Sequence, residues 1–478
     1  MKFVYDIDKV MMYFYEISKI PRMSGKEEKI ANYIEDFAKS RNLKYIRDIY
    51  NNIIVIKEAS KWNKSKESIM LQGHLDMVCE KEENYCHNFE EDGLDLYIDG
   101  DFIKAKGTTL GADNGIGVAM ILSILDSKEL NHPRIEAIFT VEEESTMNGA
   151  KTIDVSTLES KKMICLDNMN EDELWIGCAS AKIFEYEIKG NITKIPPEYI
   201  SVKVGLNGFV GGHSGKDISK DRGNPIEEMG ILLKDISEKY DIFLKRITGG
   251  RKVNVIPREC YCEIYIKNEH FNEIQKMIAN FNKELIKKIK NDNENIKAFV
   301  EEIRDSEQIS FDGETTKRLI DILNNIPNGV YYKDKNENPL VSLNIGKVES
   351  KYSNLKISFS IRSNRFEIEK KLIEKLQIMV REYDINDNIS ELSGYEHKER
   401  SEFIDKCKKM YNDYFERKPK VIDMHICLEA GFFGEKIKDL DFIAIAPNIY
   451  DPHSPNERCS ISSLKKVYNY VLLLLGNM

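Results

Sequence analysis

The stretch Ile69-Met70-Leu71-Gln72-Gly73-His74-Leu75-Asp76 changes from apolar residues to a glycine, a histidine and an aspartate. Its apolar part predicts a buried strand. Gly73 allows close backbone approach at the point where the strand becomes a loop. The stretch therefore predicts a strand that places His74 and Asp76 at its carboxyl end.

Strands and helices alternate in the sequence up to about Cys178. Helical periodicity lies at 24–40 and 113–126, and Ser24 and Glu27 have the spacing of a capping box. Alternation of this kind favours right-handed crossovers and a largely parallel sheet, in which ligands gather at the carboxyl ends of the strands. The apolar runs that predict strands lie at 53–56, 69–71, 135–141 and 163–166.

The pattern changes in the middle of the chain. Period-two alternation, for example at 341–345 and 355–361, surrounds helical stretches near 225–239 and 270–291, and α/β character returns from about Ser393. We therefore expect an α/β protein with an inserted α+β domain. The predicted domains are a first α/β segment at 1–183, an inserted α+β domain at 184–392, and a second α/β segment at 393–478.

Composition and charge exclude several classes of protein. The chain has 478 residues, of which 41% are hydrophobic and 31% charged, and its net charge of −10 argues against a nucleic-acid partner. Charges follow the first residue too closely for a secretory segment, and the late apolar run 467–475 is too short to span a bilayer. The nine cysteines include no C-x-x-C pair, so we expect a cytoplasmic protein with free thiols and no membrane contact.

Acids and histidines lie at the ends of several predicted strands or at the start of a predicted helix. They are His74, Asp113 in a glycine-rich turn, the triple glutamate 142–144, Asp167 and, near the C-terminus, His453. Two neighbouring divalent cations need such a set, with one carboxylate left over as a base. Adjacent glutamates point to different sides, so one can bind metal while its neighbour transfers a proton.

Each fragment also has an ordinary interpretation when it is taken alone. Asp113 directly precedes a helix and could be its N-cap, and an acidic run such as 142–144 is usually a solvated surface. A strand-terminal aspartate such as Asp167 is most often a turn residue, and His453 could be a loop histidine between prolines. The ordered set is what favours a metal site.

Two residues of the middle region are candidates for substrate contact. His213 stands in Gly-Gly-His-Ser-Gly and is either an exposed turn residue or a donor to a tetrahedral oxyanion. Arg362 ends the apolar run 355–361 and is either a surface arginine or a bidentate partner for a substrate carboxylate.

The fragments in this order resemble the dinuclear zinc aminoacylase/carboxypeptidase superfamily, and most closely its peptidase D, or aminoacyl-histidine (Xaa-His) dipeptidase, family. The resemblance runs from near residue 9 to the C-terminus. It is carried by 16–22, 71–81, 107–117, 147–150, 211–215, 222–224, 254–259, 428–431 and 452–455.

The resemblance implies a phosphorylase/hydrolase-like catalytic domain and a role for each residue of the site. His74 and Asp167 would hold one zinc ion, Glu144 and His453 the other, and Asp113 would bridge the two. The remaining implied roles are orientation of His74 by Asp76, activation of water by Glu143, contact with the tetrahedral intermediate by His213 and Asn254, binding of the substrate carboxylate by Arg362, and definition of the substrate site by Glu429.

Four positions depart from the family pattern. Glu142 stands where the family usually has aspartate, Thr146 where it has glycine, and Asn168 where it has serine, while 394–397 replaces Gly-Trp-x-Pro. Thr146 lacks the access of glycine to positive φ, so the local backbone could differ. None of these departures removes a ligand or the base.

We therefore expect a metallopeptidase that hydrolyses small peptides, namely dipeptides, with two divalent metal ions as cofactors. Zinc is the expected metal, although manganese and cobalt can use the same ligands. The alternatives are an N-acyl amino-acid deacylase or other amidohydrolase, and a metal-stabilised binding protein without catalysis. The segments 1–183 and 393–478 would then form the catalytic domain, and the inserted domain at 184–392 would be its lid. A homodimer through this lid domain is also expected.

Overall fold

The structure, a computed structural model, describes residues 7–61, 63–64, 66–289, 295–304, 307–398 and 400–478. The chain forms two compact units. The first unit comprises Met1–Cys178, His397–Met424 and Leu428–Met478, and the inserted unit comprises Ala179–Glu396 with His425–Cys427.

Helices occur in both units. Those of the described chain are α1 (Asp8–Ser18), α2 (Glu28–Ser40), α3 (Ala112–Asp126), α4 (Asn148–Thr152), α5 (Pro225–Ser237), α6 (Phe271–Lys288), α7 (Gly313–Asn325), α8 (Phe366–Glu382), α9 (Glu402–Phe415), α10 (Ala430–Lys436) and α11 (Ile461–Asn477), with a short 3-10 helix at Asn268–His270.

Strands are also found in both units. Those of the first unit's earlier part are β1 (Lys44–Arg47), β2 (Ile53–Lys57), β3 (Ile69–His74), β4 (Leu96–Asp99), β5 (Phe102–Ala105), β6 (Ile135–Thr140), β7 (Lys162–Cys165) and β8 (Glu173–Cys178). Those of the inserted unit are β9 (Ser180–Lys189), β10 (Ile192–Lys194), β11 (Tyr199–Asn207), β12 (Gly212–His213), β13 (Phe243–Gly249), β14 (Val255–Ile256), β15 (Cys260–Lys267), β16 (Lys297–Glu302), β17 (Ile309–Phe311), β18 (Gly329–Lys333), β19 (Pro339–Lys351), β20 (Asn354–Ser363) and β21 (Asn386–Leu392). The later strands of the first unit are β22 (Lys420–Met424), β23 (Asp441–Ala444), β24 (Ile449–Tyr450) and β25 (Arg458–Ser460).

The first unit is built on a mixed sheet with the strand order β1-β2-β6-β3-β7-β23-β8-β22. The strands in its middle run parallel, since β3 pairs in parallel with both β6 and β7, and β7 with β23. Antiparallel pairs join β1 to β2 and β2 to β6. The α/β class expected from the alternating pattern is confirmed, and the ends of β3, β6 and β7 lie at one edge of the sheet.

Strands β3 and β6 and helix α3 form the buried centre of the first unit, as their apolar sequences predict. All six residues of β3 and of β6 are buried, and α3 is buried along almost its whole length. A Cβ atom at Gly117 would lie 2.5 Å from Oδ1 of Asn114 and 2.6 Å from the carbonyl oxygen of Leu166. Only glycine therefore lets the first turns of α3 approach the end of β7 this closely.

The predicted capping box at Ser24 and Glu27 is wrong. Helix α2 begins at Glu28, and its N-cap residue makes no side-chain cap. The Ser24 hydroxyl instead donates to Oδ2 of Asp76 at 2.7 Å, while Oε1 of Glu27 accepts from the main-chain N–H groups of Gly25 and Glu142. The side chains of Ser24 and Glu27 thus bond to Asp76 and Glu142, which are distant in sequence, instead of capping the helix.

The inserted unit has the expected α+β character. Its main sheet is antiparallel with the order β16-β11-β15-β13-β19-β20-β9-β21, and β18 pairs with β19. Helices α5 to α8 pack against strands of this sheet. Phe359 lies fully buried in its core, stacked on Phe184 at a ring distance of 5.0 Å and edge-on to Tyr186 at 4.8 Å.

Among the helices that the structure describes, none combines the length and the apolar character that crossing a bilayer requires.

We expect Phe359→Ala to lower the free energy of unfolding by about 3–5 kcal/mol, because it removes a fully buried ring and leaves a cavity. Urea unfolding followed by intrinsic fluorescence and circular dichroism measures the change. Tyr352→Ala is the matched control, since Tyr352 is 90% exposed in the same β19–β20 hairpin. Equal losses in the two variants would contradict the assignment of this core.

Candidate metal centre

His74 ends β3 and is almost fully buried, with 1% of its surface exposed. Its Nε2 atom lies 3.2 Å from Oδ1 of Asp113 and 3.9 Å from Oδ1 of Asp167. Asp113 lies at the start of α3 and Asp167 follows β7. One imidazole nitrogen and two carboxylate oxygens, within 4.8 Å of one another, make a donor group that suits a divalent cation.

A second donor group uses the other oxygen of Asp113. Nε2 of His453 lies 3.2 Å from Oδ2 of Asp113 and 3.0 Å from Oε1 of Glu144. These three side chains also have donor atoms within 4.8 Å of one another. Asp113 thus presents one oxygen to each histidine, as a carboxylate shared by two cations would.

Asp76 holds the surroundings of His74 and of the glutamates together. It is fully buried, and its Oδ1 atom lies 3.3 Å from Nδ1 of His74. Its two oxygens also accept the main-chain N–H groups of Glu143 and Glu144, each at 3.0 Å. Burial would raise the pKa of Asp76, but the hydrogen bond and charge of His74 and the further bonds outweigh it and lower the pKa.

The turn that carries the glutamates has an unusual backbone at Glu142, whose φ is +56°. Its N–H group donates to the buried carboxylate of Glu27, and its side chain accepts from the Thr146 hydroxyl at 2.8 Å. The positive φ values of this turn fall at Glu142 and Met147 and not at Thr146. Threonine at 146 is therefore compatible with the turn, because that position does not use the freedom of glycine.

The two histidines are basic in this acidic environment. Burial opposes a charge on His74, but its hydrogen bonds to Asp113 and Asp76 raise its pKa well above the ordinary value. Hydrogen bonds to Asp113 and Glu144 raise the pKa of His453 to about 10. Both imidazoles therefore carry protons at neutral pH that a metal ion would have to displace.

The carboxylates provide the test of whether divalent cations fit. Burial raises the pKa of Asp167 well above its usual range, and the charge of Asp113 adds to the rise. Burial likewise raises the pKa of Glu143, where His74 opposes the rise and Glu429 adds to it. So many acids cannot all be ionised together away from water unless cations neutralise them. The donor set therefore fits divalent metal ions.

Glu429 lies beneath this cluster and is 1% exposed. Its Oε2 atom accepts hydrogen bonds from Nε2 of Gln72 and from the hydroxyl of Thr140, both at 2.6 Å. Burial raises its pKa to about 8 against the opposing charge of His74. Glu429 thus joins the ends of β3 and β6.

Three of the predicted site residues, His213, Asn254 and Arg362, belong to the inserted unit. The Nδ1 atom of His213 accepts the N–H groups of Gly215 and Lys216, so the neutral ring carries its proton on Nε2. Burial, with the nearby charge of Arg362, lowers the pKa of His213 to about 4.

The neighbours of His213 form a small polar group in the inserted unit. Arg362 is 7% exposed, and it donates through Nε to the Ser214 hydroxyl at 3.2 Å and through Nη1 to Sγ of Cys427 at 3.6 Å. The carbonyl oxygen of Asn254 accepts the N–H group of Ser214 at 3.0 Å. His213 and Arg362 therefore lie together, as two candidates for substrate contact should.

Two further residues, which the sequence analysis did not single out, contact the loops that carry the candidate ligands. Arg22 donates to the carbonyl oxygens of Leu75, Asp76 and Gly111, and Glu457 accepts main-chain N–H groups next to Asp113. Glu457 follows His453 by four residues.

Comparisons with known proteins identify the family of this chain. A profile of Peptidase family M20/M25/M40 matches residues 70–477, which is most of the chain. The chain belongs to peptidase family M20/M25/M40. This membership confirms the metallopeptidase class expected from the sequence, and divalent metal ions are the cofactors of the family.

Relatives of this M20 peptidase extend over nearly its full length. The chain is 29% identical over 475 residues to the cytosol non-specific dipeptidase of Escherichia coli (strain K12), with 97% of this chain and 96% of the relative covered. The crystal structure of aminoacylhistidine dipeptidase from Vibrio alginolyticus superposes with a TM-score of 0.91 at 30% identity, covering 98% and 96% of the two chains. The resemblance to this group is confirmed.

A second solved structure shares the fold alone. The aminopeptidase PepT from Bacillus cereus ATCC 10987 superposes with a TM-score of 0.58 at 14% identity, covering 98% of both chains.

We expect zinc binding by chelator-treated protein to release at least two protons at neutral pH, one from each imidazole, with a further contribution from Asp167, whose carboxyl pKa is raised. Because the pKa of His453 is about 10, protons compete with the metal at every pH below that value. Zinc affinity should therefore rise as the pH increases from 6 to 9. Calorimetric titrations in buffers with different ionisation enthalpies count the protons, and binding without proton release would contradict the assignment.

Proposed function

We propose that this M20 peptidase is a dipeptidase that hydrolyses the peptide bond of small peptides with two divalent metal ions bound. The observation that carries the proposal is the pair of donor groups that share Asp113, with one of its oxygens beside His74 and the other beside His453. Both full-length relatives are named as dipeptidases, which supports this substrate class.

In this proposal His74 and Asp167 hold one ion, Glu144 and His453 hold the other, and Asp113 serves both. Zinc suits nitrogen and carboxylate donors, and manganese or cobalt could take its place. When bound, the ions supply Lewis acidity that polarises the scissile carbonyl and makes water a better nucleophile.

Glu143 is the proposed general base. A carboxylate oxygen of Glu143 lies within 4.8 Å of donor atoms of His74 and Glu144, beside the centre. Its pKa is raised by burial and by the acids around it, although His74 opposes the rise. A carboxylate with a raised pKa takes a proton from attacking water more readily, and it can then return that proton to the leaving amine.

Asp76 and Glu429 support the centre from beneath. Asp76 would fix the ring of His74 and, through main-chain N–H groups, the positions of Glu143 and Glu144. The sequence suggested that Glu429 defines the substrate site. Its burial and its bonds to Gln72 and Thr140 favour a supporting role over direct contact with substrate.

His213 is the proposed donor to the oxyanion of the tetrahedral intermediate, with Asn254 assisting. The main-chain bonds to Nδ1 leave the Nε2–H group as the donor of a neutral ring. The pKa of about 4 keeps that ring neutral across the physiological range. Its hydrogen-bond strength would therefore not change with pH above about 5.

Arg362 is the proposed partner of the substrate's C-terminal carboxylate. Its guanidinium can bind a carboxylate with two parallel hydrogen bonds, which would favour short substrates with a free C-terminus. The inserted unit that carries Arg362 and His213 would then act as a lid over the centre. We propose that the inserted unit also forms the contact of a homodimer.

The substrates in this proposal are dipeptides, including those with C-terminal histidine. The Escherichia coli relative is named as a non-specific dipeptidase and the Vibrio alginolyticus relative as an aminoacylhistidine dipeptidase, so both names occur among similar proteins.

Of the departures from the family pattern, Asn168 is buried and donates to the carbonyl oxygen of Glu173. It therefore fills a structural position near Asp167.

The proposed location is the cytoplasm. All nine cysteines are free thiols in the structure, and most of them are buried. Free thiols suit a reducing compartment. One full-length relative is named as a cytosolic enzyme.

A panel of free dipeptides and N-acetyl amino acids tests the function. With zinc, manganese or cobalt supplied in turn, we expect hydrolysis of dipeptides and little of N-acetyl amino acids. Hydrolysis of the acetyl compounds alone would identify a deacylase instead. A protein that binds two metals but hydrolyses neither class would be a binding protein, which would contradict the proposal.

Glu143→Ala should retain both metals and lose turnover of dipeptides by roughly 10²–10⁴-fold, because it removes the proton acceptor. Glu142→Ala is the matched control in the same acidic run, since the Glu142 side chain bonds to Thr146. It should keep most of the activity. Wild-type turnover in Glu143→Ala would end the assignment of the base.

His213→Ala should lower kcat by roughly 10²–10³-fold with a smaller change in KM, as expected for a donor that acts mainly in the transition state. His270→Ala, in the same unit at the start of α6, is the control. Steady-state kinetics on one dipeptide measures both parameters. A change in KM alone would assign His213 to substrate binding instead.

A further inference from the structure

A buried carboxylate outside the proposed ligand set accepts hydrogen bonds from the main chain of the loop that carries Asp113. Glu457 is 3% exposed. Its Oε2 atom accepts the N–H groups of Leu110 and Gly111 at 2.9 and 3.0 Å, and its Oε1 atom accepts those of Ala112 and Asp113 at 2.8 and 3.4 Å. Four consecutive main-chain donors therefore converge on one side chain.

The loop needs such an external support because its backbone is irregular. Gly111 has a φ of +63°, and neither Asp113 nor Asn114 has helical dihedral angles although they lie at the start of α3. The N–H groups of an irregular buried loop have no partners from regular structure of their own. Glu457 supplies those partners, so it determines how the Asp113 side chain is presented.

The same glutamate belongs to the segment that carries His453. It lies four residues after His453, and its own N–H group donates to the carbonyl oxygen of Ser454 at 3.0 Å. Arg458, the next residue, bonds to Asp451 and so closes the other side of this segment. One side chain thus joins the Asp113 loop to the His453 segment.

Arg22 joins the Asp113 loop to the loop that follows His74. Its Nη2 atom donates to the carbonyl oxygen of Gly111 at 2.5 Å, and its Nη1 atom donates to those of Leu75 and Asp76 at 3.1 and 3.0 Å. A Cβ atom at Gly111 would lie 2.4 Å from that Nη2 atom, so the loop fits Arg22 closely.

We propose that Glu457 is a positioning residue for the metal centre, which sets the distance between the Asp113 carboxylate and the His453 imidazole through the main chain of the Asp113 loop. The proposal rests on the proposed function, because it takes Asp113 and His453 as metal ligands. Glu457 would act without binding metal or substrate itself, because both of its carboxylate oxygens accept main-chain N–H groups of the loop. Its removal should weaken metal binding because the shared ligand would no longer be held in place.

A purely structural role is the alternative, and a second buried glutamate distinguishes the two. Glu136 is fully buried in β6 of the same unit and accepts the N–H groups of Glu159 and Ser160 as well as Nε of Arg134. It lies near the beginning of β6, whereas the donor groups lie beyond the strand's end. It has the chemistry of Glu457 without the connection to a ligand loop.

The test compares Glu457→Gln with Glu136→Gln, since each keeps the shape of the side chain and replaces one acceptor oxygen by a donor. Zinc alone is titrated into chelator-treated protein against a chromophoric chelator, and bound zinc is counted by mass spectrometry. We expect Glu457→Gln to bind zinc roughly 10–100-fold more weakly than wild type. Glu136→Gln should lose thermal stability and keep wild-type affinity.

Zinc affinity of folded Glu457→Gln within twofold of wild type would overturn the inference, as would equal weakening in Glu136→Gln. If Glu457→Gln does not fold, Glu457→Asp decides, because it keeps the charge but is too short to reach all four donors. Wild-type affinity in that variant would contradict the inference. A wild-type protein that binds no zinc would instead refute the proposed function itself.

Discussion

The rest of the structure depends on the concentration of negative charge around two histidines. Asp113, Asp167, Glu143 and Glu144 have donor atoms within a few ångströms of the imidazoles of His74 or His453. Like charges at such distances in a medium of low polarity raise the pKa of some of the acids, and they leave the imidazoles protonated. Divalent cations in this place would replace those protons.

The fold holds this arrangement through its main chain. Asp76 and Glu27 accept N–H groups of the turn that carries Glu143 and Glu144, and Glu457 accepts those of the loop that carries Asp113. The proposed ligands are therefore positioned by loops that buried acids secure, while the parallel strands bring those loops to one edge of the sheet. Ligands that are held in place in this way need no rearrangement when a metal ion binds.

The sequence predicted the strand ends well because apolar runs and their polar terminators are local features. His74 ends and Asp167 follows the strands that the apolar runs predicted, and both units have the expected class of fold. The capping box at Ser24 failed because a buried acid distant in sequence took its hydroxyl.

Long-range contacts also explain what the sequence could not reveal at the candidate site. Glu457 accepts main-chain N–H groups, which every residue except proline has, so the residue types at 110–113 do not indicate this contact. The burial of Glu429 depends on Gln72 and Thr140, which come from two other segments, so its supporting position could not be read from its own neighbours.

The most direct test of the account is X-ray diffraction from crystals soaked in zinc, recorded on both sides of the zinc absorption edge. The account predicts two anomalous peaks per chain, one between His74 and Asp167 and one between Glu144 and His453, with Asp113 contacting both. A single peak, or peaks that do not contact Asp113, would contradict it.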